Sequence, residues 1–69
     1  MAILQKYYYN NDTSEIINYD DFVNRCKKYK EEYNSTSTIH EIMDNDDDVI
    51  YIGKFASIKE ARKYFDEEF

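Results

Sequence analysis

"TIHEIMDNDDDVIYIGKF", Thr38 to Phe55, is the stretch whose reading decides how the chain folds. Its middle holds four aspartates in the five positions from Asp44 to Asp48. Its flanks are rich in β-branched and aromatic side chains, the residues that suit a pleated surface. Read as strands, TIHEIM and DVIYIGKF form an antiparallel hairpin that turns through DNDD. Alternation then sends Val49, Tyr51, Gly53 and Phe55 to one face and Ile50 and Ile52 to the other. Apolar residues on both faces predict a central strand, or a strand that gives one face to a partner.

On the N-terminal side, AILQKYYY (residues 2–9) reads as a strand, with Tyr7 and Tyr9 on one face and Tyr8 on the other. The polar cluster NNDTS turns the chain into a short return strand, EIINY. Asn18 is an N-cap, with Asp20 and Asp21 placed to suit the helix dipole and Ile17 and Phe22 placed as a hydrophobic staple. Phe22, Cys26, Tyr29 and Tyr33 recur at helical spacing as one face, with Arg25, Lys27, Lys28 and Lys30 mostly off it. This helix is expected to end near Asn34.

On the C-terminal side, Ser57 and Glu60 make a capping box, followed by the apolar stripe Ile58, Ala61, Phe65 and Phe69. Asp66, Glu67 and Glu68 fall in the last turn, where acids oppose the helix dipole. Local helix stability gives no reason for them. The predicted order is β(β)αββα: one α+β domain over residues 1–69, with a small antiparallel sheet of three or four strands and two helices packed on one face.

Sixty-nine residues limit the chain to one domain with a small core. The single cysteine, Cys26, excludes an internal disulfide, and Cys26 with His40 falls short of a four-ligand zinc site. A net charge of −6 opposes nonspecific binding to nucleic acid or to anionic membranes. It favours a partner with a basic surface. No apolar run is long enough to span a bilayer, and the first residues lack the pattern of a signal peptide. The expected location is the cytoplasm. The 8 tyrosines suit a core or an interface, since the ring packs while the hydroxyl stays wet.

The acidic knot resembles a calcium loop only at Asp44, Asp46 and Asp48. Val49 stands where that loop requires glycine, and Phe55 where it requires glutamate. No metal and no cofactor is therefore expected. Two readings remain for the knot: a solvated turn, or a set of carboxylates that occupies a basic groove as phosphates would. The acidic candidates are Asp44, Asp46, Asp47, Asp48, Glu41, Asp66, Glu67 and Glu68, with Glu31 and Glu32 behind them. Tyr7, Tyr8, Tyr9 and Tyr51 are the candidate aromatic interface, set against the plainer reading of a sheet core. Cys26 on the apolar stripe of its helix reads as a buried structural thiol rather than a nucleophile. No catalytic residue is indicated.

The composition is rich in Asn, Ile, Lys and Tyr, and the chain ends in GKFASIKEARKYF and DEEF. Small, acidic and without a recognised motif, it resembles the small acidic proteins of phages and mobile elements. That resemblance implies a non-enzymatic, host-cytoplasmic protein that binds and disables a host protein, as anti-CRISPR and other anti-defence inhibitors do, some as DNA mimics. From the acidic charge balance, no direct binding of nucleic acid is expected. Two other classes stay open: an assembly protein that forms a homodimer through a sheet edge or tyrosine face, and a small-ligand sponge for nucleotides.

Overall fold

The computed structural model describes residues 3–69, so Ala2, included in the first predicted strand, lies outside the described residues. The elements run β1 (Gln5–Asn10), β2 (Glu15–Asn18), α1 (Tyr19–Glu32), α2 (Ile39–Asp44), β3 (Val49–Phe55) and α3 (Ile58–Glu68). The fold is α+β, with a three-stranded antiparallel sheet ordered β2-β1-β3. The observed order is ββααβα rather than β(β)αββα.

The first difference lies in TIHEIM, which is a helix and not a strand. Thr38 caps α2: its side chain accepts the Glu41 N–H, and the Glu41 carboxylate accepts the Thr38 N–H. The pair is the same capping box that Ser57 and Glu60 announce before α3. Ile39, Ile42 and Met43 then fall on one side of the helix and pack against the cluster of Tyr8, Phe22 and Cys26. Packing of that apolar side outweighs the β preference of the isoleucines, as tertiary context commonly does.

With no strand before it, β3 cannot close a hairpin through DNDD. It pairs instead with β1, from Gln5 opposite Phe55 to Asn10 opposite Val49. β1 is therefore the central strand and β3 an edge, which removes the first of the two readings of β3, a central position. The register shifts between Tyr7 and Tyr8: Tyr7 faces Gly53 while Tyr8 faces Tyr51, which leaves Ile52 as the extra residue of a β-bulge. The bulge resets the alternation. Val49 and Tyr51 stay on the face of Tyr8, whereas Ile52 and Phe55 both join the face of Tyr7. Gly53 permits this with φ of +137°, and a Cβ there would meet the Phe55 ring at 3.2 Å.

The helices lie on both faces of the sheet rather than on one. Tyr8, Phe22 and Cys26 form the core beneath α1 and α2. Tyr7, Ile16, Ile52 and Ala61 form the core beneath α3. Successive residues of β1 point opposite ways, so Tyr7 and Tyr8 each anchor a different layer. Aromatic contacts reinforce each layer: Tyr8 meets Phe22 edge-on at 4.9 Å, and Tyr9 stacks on Phe65 at 4.3 Å.

The predicted starts of α1 and α3 hold. Asn18 accepts the Asp21 N–H at 2.8 Å, and Ser57 accepts the Glu60 N–H at 3.4 Å. Glu60 reaches back one residue further than expected, to the Ala56 N–H at 3.2 Å. The end of α1 closes at Asn34, whose φ of +50° lets Ser35 N–H bond the Lys30 carbonyl at 3.0 Å. The far ends of both predicted stripes overrun the sheet. Tyr33 and Phe69 are 65% and 69% exposed, each set against the aromatic ring one turn before it, Tyr29 and Phe65.

Candidate functional site

The residues from Asp44 to Asp48 form an ordered loop between α2 and β3, organised by a residue that local sequence does not mark. Asn45 ends α2 with its N–H on the Glu41 carbonyl at 3.1 Å. The Asp46 carboxylate then turns inward, its side chain only 13% exposed. Arg25, projecting from α1, donates to it through Nε at 2.8 Å and through Nη2 at 3.5 Å. The same Nη2 donates to Asp12 in the β1–β2 turn at 2.8 Å and lies 3.8 Å from Asp48. Asp46 also accepts the Asp48 N–H at 3.1 Å, and the Asp48 carbonyl accepts the Asn11 N–H at 2.8 Å.

One guanidinium thus ties together α1, the first turn and the knot. Its two-point contact with Asp46 is the strong form of such a pair. The Asp46 hydrogen bond raises the Arg25 pKa further above its ordinary range, and burial only partly opposes this. Asp46 is in this way committed to the fold. Asp44, Asp47 and Asp48 are exposed. Asp44 lies 3.3 Å from His40, one turn back on the solvent side of α2. Asp12 and Arg25 escaped the sequence reading because the contacts span 13 and 21 residues, beyond any helical or strand period.

The second acidic segment lies at the end of α3, on the other face of the sheet. Ala61 of α3 lies against the core at Tyr7, and Phe65 stacks on Tyr9. The neighbouring Tyr64 meets Phe55, opposite Gln5 at the other end of the sheet, at 5.3 Å. Asp66, Glu67 and Glu68 follow Phe65 and are exposed. The fold holds Asp12, Glu15 and the exposed acids of the knot at one end of the sheet, and carries Asp66 to Glu68 on its other face. Glu41 sits one turn earlier, in the capping box. Its hydrogen bonds to Thr38, backbone first, lower its pKa below the usual carboxylate range.

A groove of about 850 Å³ lies between α1 and α2, with Tyr29, Tyr33, Arg25, Glu41 and the knot among its walls. Cys26 lies beneath it and is wholly buried. Burial pushes its thiol pKa up, Asp46 adds to that rise, and Arg25 partly offsets it. This is the opposite of an activated thiolate. His40, 85% exposed on its side chain, is turned to solvent and to Asp44. Among the described residues no three His, Cys, Asp or Glu side chains converge to hold a metal ion. Arg25 already takes the inward oxygens of Asp12 and Asp46.

The tyrosines divide. Tyr7 and Tyr8 are 5% and 8% exposed and belong to the two cores, so neither offers an interface. Tyr9 is half-buried under Phe65. Tyr51, at 52%, is the one of the four candidates that faces solvent. Tyr19, Tyr29, Tyr33 and Tyr64 are exposed too, outside the predicted set. Among the described residues no helix is long and apolar enough to cross a membrane. No family model, curated protein or solved structure matches the chain.

Proposed function

We propose that the chain is a non-enzymatic protein-binding module whose acidic end docks on a basic surface of a host protein, as a phage-type inhibitor would. The observation that supports it most directly is the ordered knot, in which Arg25 and Asp46 hold the exposed carboxylates of Asp44, Asp47 and Asp48 in place. Exposed carboxylates held on a rigid frame steer a cationic partner and pay little ordering entropy on binding. Asp44, Asp47, Asp48, Asp66, Glu67 and Glu68 carry the contact; Asp46 holds the frame. A partner that normally grips nucleic-acid phosphates is the natural target for such an array.

The test is affinity for a partner captured from host-cell extract, measured against salt for the unmodified chain and one variant. Asp44→Asn, Asp47→Asn and Asp48→Asn together leave Arg25 and Asp46 in place. This triple variant is expected to weaken binding at least tenfold and to flatten its salt dependence. The same affinity and slope as the unmodified chain would remove the acidic end from the interface.

A second reading follows from β3 being an edge strand with Ile50 43% and Tyr51 52% exposed. Such an edge can add a strand from a second copy. Light scattering across a wide concentration range separates the two, since a strict monomer excludes the homodimer.

A further inference from the structure

At the opposite end of the sheet from the knot, Lys6 on β1 stands directly across from Lys54 on β3. Like charges in that relation are mutually destabilising, with Cβ atoms about 5 Å apart. Among the described residues neither ammonium has a carboxylate within ion-pair distance. Both lysines project from the face of Tyr8, two positions along β1. α1 and α2 leave this part of the face open. Tyr51 is 52% and Tyr19 44% exposed, and the Lys6 ammonium lies 5.8 Å from the centre of the Tyr19 ring.

We propose that this face binds a nucleoside monophosphate, with the phosphate between Lys6 and Lys54 and the base stacked on Tyr51. Charge complementarity identifies the phosphate: a monoester carries nearly two negative charges at neutral pH, and two exposed lysines without a carboxylate partner share this rung. Binding it turns a repulsive pair into an attractive triad. Spacing identifies the base. Tyr51 pairs with Tyr8, one two-residue step from the Lys6–Lys54 rung, or about 7 Å. That matches the span from a nucleotide's phosphate to its base. Tyrosine rings stack on bases with little regard to which base it is. Scale identifies a single nucleotide: two lysines neutralise one phosphate, and a chain of net charge −6 repels a longer polyanion.

The experiment is an NMR titration of the full chain with adenosine monophosphate, with inorganic phosphate and a six-nucleotide oligothymidine as comparators. Adenosine monophosphate is expected to shift the resonances of Lys6, Lys54, Tyr19 and Tyr51 and to bind more tightly than phosphate alone. Lys54→Glu turns the lysine pair into an attractive one, so the variant stays folded, and it is expected to abolish the shifts. Tyr51→Ala is expected to weaken nucleotide binding about tenfold and to leave phosphate binding unchanged. The proposal is overturned by the absence of shifts, by shifts that survive Lys54→Glu, or by binding of the oligonucleotide alone.

Discussion

The segments 44–48 and 66–68 carry the same kind of charge and are held in different ways. The first is an ordered loop: Asp46 lies inside it, bonded to Arg25 and to the Asp48 N–H. The second is the last turn of α3, exposed, where its acids oppose the helix dipole. In the knot, one aspartate out of four is the structural part and makes the position of the others definite. In α3 the position comes from Ala61 and Phe65, and the acids are carried along. Acidity read from sequence does not separate a carboxylate that builds from one that is only displayed.

The comparison breaks most visibly at Arg25. Arg25→Ala removes the charge-assisted bonds and leaves Asp12, Asp46 and Asp48 to repel one another. It is expected to cost about 2 kcal/mol in urea unfolding. Cys26 beneath it supplies a second readout. Its labelling by a thiol reagent requires opening, so the rate is expected to rise roughly thirtyfold if that opening follows global stability. A loss under about 0.5 kcal/mol would mean that Arg25 is only a surface residue. Next in size is the split within the knot. Asp46→Ala is expected to cost about 1–2 kcal/mol and Asp47→Ala less than about 0.5. Equal costs would erase the distinction between builder and display.

At the end of α3 the sign reverses. Asp66→Asn, Glu67→Gln and Glu68→Gln together are expected to raise stability by about 0.3–1 kcal/mol, most at low salt. A loss of stability would reveal contacts for these acids that the fold does not display. The smallest effect concerns the face beneath the knot. Burial raises the pKa of both Cys26 and Tyr8 above their ordinary values of 9.0 and 10.0. The folded state therefore holds these protons longer than the unfolded chain. Stability is full below those values and is expected to fall as pH rises through them. Tyr8→Phe with Cys26→Ala is expected to flatten the alkaline limb of a pH series, whereas the α3 triple variant leaves its shape alone.

How much of this was legible in the sequence follows from the range of the interactions. Asn18, Ser57, the stripe through Phe22 and Cys26, and the opposite facing of Tyr7 and Tyr8 depend on neighbours within four residues, and all were readable. Thr38 and Glu41 were readable by the same rule. The β preference of Ile39 and Ile42 masks that signal, although their spacing of three suits a helix. The bulge at Ile52 was less accessible: only Gly53 hinted at it, and a glycine in a strand has several explanations.

The sequence by itself determined the α+β class, the helix starts, the buried thiol and the amount of charge, because periodicity and capping are local. Only the tertiary structure decided that the helices cover both faces, that Arg25 joins Asp12 to Asp46, and that Lys6 meets Lys54 across the sheet. Those outcomes depend on which strands pair and in what register. Pairing is settled by the burial of side chains from the whole chain at once, and no window of neighbouring residues contains it.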